Sequence, residues 1–189
     1  VTYDANFSEV KLTVEDIKKV KSENLPEFDF LLGGFPCQAF SIAGYRHGFN
    51  DQKGRGNLFF EIARIIEDKQ PAGFLLENVK NLKGQDSGRT FKVIEKTLND
   101  LGYEIKTKVL NSMDYGGVPQ SRERIYIVGF KSKNHLNKFG FPIPVKLSVS
   151  VVDLLEKEVD SKYYYEGKPL FEKLKDYEIK EGSVYQWRR

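Results

Sequence analysis

A thiol, a carboxylate and two guanidinium groups occupy positions where strand ends and turns would present them. Cys37 is the only cysteine among 189 residues and directly follows Gly33-Gly34-Phe35-Pro36. The apolar run 28–32 before it predicts a short buried strand, so the thiol belongs to the turn at that strand's carboxyl end, where open α/β sheets bind ligands. The glycine pair lets backbone approach a ligand closely, and Pro36 stiffens the turn. Two readings of Cys37 stand at this level: a nucleophile, or a small apolar side chain filling a gap, as free cysteines often do. Glu77 follows a second apolar run, 73–76, while Gln120, Arg122 and Arg124 lead into a third. A thiol beside a carboxylate and arginines can do nucleophilic chemistry, because a nearby cation raises its thiolate fraction. Glu77 alone would serve equally well as a strand-end partner for a lysine, and only its convergence with the other groups singles it out. His47 and His135 lie in polar segments, so imidazole activation of the thiol is not expected, and no cluster has metal-ligand spacing.

That convergence depends on the elements between the reactive residues. Strands are predicted over 28–32, 73–76, 103–110 and 124–130. Residues 57–69 place Leu58, Ile62, Ile65 and Ile66 on one helical face, with Asn57 as cap and Pro71 beyond the end. Residues 90–101 repeat the pattern with Phe91, Ile94, Leu98 and Leu101. Both helices read as sheet-covering crossovers, which makes the first two strands parallel and brings Cys37 and Glu77 to one edge. The connection 111–123 is rich in Gly and Pro and has no room for a crossover helix, so the last two strands should form an antiparallel pair. Its return strand then delivers Arg122 and Arg124 to the same edge. Beyond it, 139–144 reads as a boundary, 150–159 as one helix, and 163–189 as aromatic and charged without clear period.

Thirty basic against 27 acidic side chains leave a net charge of +3, a weak general attraction for polyanions. Any contact with nucleic acid must rest on local groups such as Arg122, Arg124 or Trp187-Arg188-Arg189, each with a solvated-surface reading beside it. One cysteine permits no internal disulfide, and no apolar run approaches the ~18 residues of a membrane span. Residues 1–21 lack the layout of a signal peptide, so a soluble, cytoplasmic protein is expected.

Taken together, GGFPCQAFS, GNLFFEIARII, LLENVKNL and PQSRERIYIVGF resemble the middle block of motifs of the cytosine-C5 DNA methyltransferases, in order and spacing, over residues 1–144. The resemblance implies an S-adenosylmethionine-dependent, Rossmann-like mixed α/β sheet with helices on both faces, incomplete at both ends. Residues 1–145 would be the catalytic domain without its first strand and Gly-rich motif, and 146–189 the boundary and start of the target-recognition region. In this family the cysteine matched by Cys37 adds to C6 of cytosine, and the carboxyl matched by Glu77 holds N3 and the exocyclic amine. Arg124 matches the arginine reaching the base carbonyl, and Arg122 one serving phosphate and the catalytic loop. Phe35, Gln38 and Ser41 match DNA-contacting positions, and residues 38–56 a loop closing over a flipped base. Asp16, Ile17, Pro36 and Leu58 match the cofactor pocket, with Asp16 at the adenine amine and Ile17 against the ring. Thr13 and Asp16 also fit a helix capping box, and Leu58 also fits core packing.

The function implied is methylation of C5 in a duplex DNA site, protecting host DNA beside a partner restriction endonuclease that need not touch this protein. A monomer is expected unless the enzyme is split between chains. The absent Gly-rich motif keeps open a split subunit or a non-catalytic DNA-binding piece, and Pro-Cys-Gln is shared with the family's tRNA-methylating branch.

Overall fold

The computed structural model describes residues 2–7, 9, 12–36, 58–163 and 169. The four apolar runs become strands β1 (Phe30–Gly34), β2 (Gly73–Val79), β3 (Glu104–Asn111) and β4 (Glu123–Phe130). They form one mixed sheet in the order β1-β2-β4-β3. β1 runs parallel to β2 and β4 antiparallel to β3, as the connections predict, and β4 also pairs antiparallel with β2. The helices are α1 (Thr2–Asn6), α2 (Leu58–Lys69), α3 (Arg89–Asp100), α4 (Ser112–Tyr115) and α5 (Lys133–Lys138). None is long and apolar enough to cross a membrane.

Side-chain alternation divides the sheet into two unlike faces. On one, Phe74 and Leu76 of β2 and Ile125 and Ile127 of β4 pack against Phe59, Ile62 and Ile66 of α2 and Ile94 and Leu98 of α3. Each such side chain, once fully buried, contributes roughly 1.5–3 kcal/mol. The opposite face is covered at the β3 and β4 side by α5: Lys106 donates to the carbonyls of Leu136 and Phe139, and the Phe130 ring meets His135 and Phe139. Toward β1 the same face is open, with Leu32 73% exposed.

Close approach dictates two glycines. A Cβ on Gly129 would stand within 2.8 Å of three carbons of the Phe74 ring, which lies across β4 at that point. A Cβ on Gly33 would come within 3.3 Å of both Leu76 and Ile62, so the bare backbone lets α2 settle onto the sheet.

Three predicted boundaries change. β1 lies two residues later than 28–32, so Gly33 and Gly34 belong to the ladder, opposite Leu76 and Glu77, instead of to the turn. That strand is also only half-buried, because among the described residues it is an edge. β2 continues through Glu77, Asn78 and Val79, since β4 supplies partners as far as Arg124. The single helix expected over 150–159 is only a 3-10 turn, Val152–Leu154. Val152 and Leu154 are about 60% exposed, and a short helix without an apolar face to pack against is marginal.

Tyr103 anchors the start of β3. Its ring lies 5.2 Å from that of Phe74, and its hydroxyl donates to the Pro71 carbonyl at 2.7 Å. Burial pushes its pKa from 10.0 up to about 12. The folded state therefore keeps this proton more tightly than the unfolded chain. The resulting stabilisation is complete below pH 10 and declines as pH rises through about 12. Urea unfolding between pH 9 and pH 12 is expected to show this alkaline loss, and Tyr103→Phe should flatten it while lowering neutral stability by about 1 kcal/mol.

Candidate functional site

Glu77 and Arg124 occupy the open face at the carboxyl end of β2. The register sets Glu77 opposite Tyr126 and Val79 opposite Arg124, so the two are diagonal neighbours on one face. Arg124 Nε lies 2.9 Å from Glu77 Oε1, with the side chains 22% and 37% exposed. Arg124 Nη1 also donates to the Glu123 carbonyl at 2.8 Å, which fixes the guanidinium plane. Glu77 Oε2 has no partner among the described residues. It faces Gly34 across the parallel ladder, where a Cβ would stand 3.6 Å away. The arrangement is a held carboxylate with one free acceptor oxygen, a guanidinium beside it, and space where a side chain is missing. It suits a planar polar ring offering both a donor and an acceptor.

Phe35 and Pro36 follow directly. The Phe35 ring is 7% exposed and packs against Phe59, so its side chain belongs to the core. Its carbonyl accepts from Nδ2 of Asn78 at 2.8 Å, while Asn78 Oδ1 accepts from the Val79 N–H. Sequence reasoning missed Asn78. The signal was present: positions 74, 76 and 78 share the core-facing side of β2, and an amide in such a row must find partners. Pro36 is exposed. Cys37, Gln38 and Ser41, with the rest of the expected closing loop 38–56 and the Asn57 cap, lie outside the described residues.

Arg122 stands at the entry to β4 with an exposed side chain. Its backbone is held tightly: its N–H donates to Asn111 Oδ1 at 2.9 Å and its carbonyl accepts from the Ser112 N–H at 3.1 Å. Asn111 Oδ1 also caps α4 through the Met113 N–H, so one amide ties the end of β3 to the return strand.

Asp16 and Ile17 stand apart from this centre, on the segment preceding β1. Asp16 is exposed, and its Oδ1 accepts from the Lys18 N–H at 3.0 Å. Residues 16–19 form an isolated turn and no helix begins there, so the capping-box alternative falls. Ile17 is half-buried, and Leu58, at the start of α2, packs at the margin of the core. A cleft of about 600 Å³ beside this segment is lined by charged residues including Lys21, Glu27, Arg64 and Asp68, and by none of the residues predicted from sequence. No group of three or more potential metal ligands occurs among the described residues.

The described residues thus form a mixed α/β sheet with a carboxylate and an arginine paired at the strand ends. Comparison with known proteins gives the family. The chain matches the family described as C-5 cytosine-specific DNA methylase across residues 1–185, and it belongs to that family. It is 48% identical to Type II methyltransferase M.Bsp6I of Bacillus sp. (strain RFL6) over the whole chain, and 52% identical to M.SsoII of Shigella sonnei over 86% of the chain. Against M.HhaI of Haemophilus parahaemolyticus the identity is 46% over 81% of the chain. The chain spans 61%, 42% and 45% of these relatives' own lengths. Among solved structures, a mutant of Spodoptera frugiperda DNMT2 superposes with a TM-score of 0.59 at 24% identity, covering 85% of this chain and 50% of that one. Entamoeba histolytica methyltransferase EhMeth gives 0.58 at 20% identity over 85% and 49%. These likenesses support the mixed α/β fold.

Asn78 carries the prediction from this geometry. Asn78→Asp removes the donor to Phe35 and buries a carboxylate at a position only 2% exposed. It is expected to cost about 3 kcal/mol in urea unfolding, with Asn78→Ala costing less because no charge is buried.

Proposed function

We propose that this chain is the catalytic part of a DNA (cytosine-5-)-methyltransferase that modifies a duplex site and protects DNA from a companion restriction endonuclease. The observation that carries the reading is the Glu77–Arg124 pair beside the bare backbone of Gly34, three residues before the thiol of Cys37. The family's description as cytosine-specific DNA methylase supports DNA as the substrate, and relatives 46–52% identical are named as Type II methyltransferases.

The chemistry follows from the side chains. Cytosine C5 is a poor nucleophile until a group adds at C6. The Cys37 thiolate adds there, and the electron pair of the 5,6 double bond moves to C5. Glu77 Oε2 accepts from the exocyclic amine and from N3 once that nitrogen takes a proton from solvent; the proton offsets the charge arriving with the thiolate and returns to solvent when the thiolate leaves. Arg124 orients Glu77 through Oε1 and offers Nη2, free among the described residues, to the ring carbonyl. Arg122, exposed at the rim, suits a phosphate. S-adenosylmethionine, when bound, supplies the methyl group. Loss of the C5 proton to a base then lets Cys37 leave and restores the ring. Because C6 is shielded in a stacked duplex, the cytosine must leave the stack, at a cost of a few kcal/mol.

Membership of the family implies S-adenosylmethionine, and the residues present fit it in kind. Asp16 Oδ2, without a hydrogen-bond partner among the described residues, can accept from an amine, and Ile17 and Leu58 offer aliphatic surface to a ring. Pro36, exposed beside Phe35, would add a further apolar surface to the cofactor pocket. In this reading residues 1–145 form the catalytic domain. Residues 146–163, largely exposed and carrying only short turns, lead toward a recognition region.

Trapping on duplexes containing 5-fluorocytosine with S-adenosylmethionine tests the proposal, using this chain and the full reading frame in parallel. A covalent adduct is expected with wild type and none with Cys37→Ala, whose DNA affinity should stay within about twofold. Glu77→Gln should slow adduct formation about a hundredfold or more. A Cys37→Ala adduct would refute the nucleophile, and adducts formed on tRNA in place of duplex DNA would refute the substrate.

A further inference from the structure

Segment 12–29 reaches β1 with little regular structure of its own, having only the turn at 16–19 and the 3-10 turn Ser22–Asn24. Two side chains of α2 fasten it: Lys69 donates to Glu27 at 2.7 Å near its end, and Arg64 holds the stretch from Ile17 to Ser22. Arg64 of α2, 29% exposed, directs all three guanidinium nitrogens to partners. Nη2 donates to the carbonyls of Val20 at 2.9 Å and Ile17 at 3.3 Å, and Nη1 donates to the buried hydroxyl of Ser22 at 2.7 Å. Nε donates to Glu61 at 3.0 Å, one turn back on α2, which fixes the plane of the fork before it meets the segment. The partners in the segment lie 42 to 47 positions away in sequence.

We infer that Arg64 is a positioning residue for the adenosine end of the cofactor. Resting on the methyltransferase reading above, this assigns Arg64 the task of holding the Ile17 carbonyl, and with it Asp16 and Ile17, at a fixed place relative to Leu58 on the same helix. The planar fork matters. A lysine keeps the charge but, as a single compact ammonium, cannot satisfy two carbonyls, a hydroxyl and a carboxylate in these directions. Among the described residues the hydrogen-bond partners of Arg64 lie on segment 17–22 and on α2 itself, so the chemical step and DNA affinity should not depend on it.

The test uses the full reading frame, with Arg64→Lys and Ser22→Ala beside wild type. Kd values for S-adenosylmethionine come from calorimetry, those for adenosine from competition, and DNA affinity is measured without cofactor. Arg64→Lys is expected to raise both the S-adenosylmethionine and adenosine Kd by the same factor, about tenfold, as for loss of one charge-assisted hydrogen bond. Ser22→Ala should move both in the same direction by less. KM for S-adenosylmethionine should rise with kcat retained, and DNA affinity and the urea midpoint should stay near wild type. Unchanged Kd values in Arg64→Lys, with wild type binding normally, would overturn the inference alone. A parallel fall in DNA affinity and unfolding midpoint would also overturn it, showing general loosening. Failure of the wild type to bind S-adenosylmethionine would overturn the cofactor reading and this inference with it.

Discussion

The register between β2 and β4 is the constraint on which the site depends. Glu77 and Arg124 come from strands 47 positions apart, and each is useful only if it emerges on the same face as the other. Side chains alternate along a strand, so a slip of one residue would turn Arg124 into the helix-covered core and leave Glu77 without its partner. The core prevents that slip. Phe74 and Leu76 of β2 and Ile125 and Ile127 of β4 fill the opposite face, and both isoleucines would leave the core in the shifted pairing. The fit of the Phe74 ring over Gly129 marks the register at the far end of the ladder. The polar pair is thus aligned by apolar residues that never touch it.

Much of this was legible from the chain itself. Four strands, both long helices, the parallel and antiparallel pairings and the convergence of Glu77 with Arg124 followed from apolar periodicity and connection length, which are local signals strong enough to survive tertiary context. The departures share a cause. Gly33 and Gly34 read as a turn because glycine usually punctuates, yet here their missing Cβ atoms admit α2 on one face and leave room by Glu77 on the other. Residues 150–159 carry a helical pattern, but Val152, Leu154 and Leu155 stay exposed and the pattern yields only a turn. Asn78 and Arg64 went unnoticed because their importance lies in which distant backbone groups they reach, and residue type alone does not encode a partner over 40 positions away.

Those two residues solve the same problem. Irregular segments carry backbone carbonyls and amides that no ladder satisfies, and such segments are placed only if something else bonds those groups. Asn78 does this for the exit from β1, using a buried amide on the neighbouring strand. Arg64 does it for the approach to β1, using a guanidinium on the covering helix. Asn111 does the same at the mouth of the β3–β4 connection. Each loop bearing a candidate functional residue is thereby referred to a rigid element.

The bond from Asn78 to the Phe35 carbonyl separates where the chain leaves the sheet from what leaves it. The point at which the chain departs from the sheet is recorded on β2, some forty positions downstream, and not in the residues that follow the departure. The bond uses a main-chain carbonyl, so the direction in which the chain leaves β1 does not depend on which side chains follow.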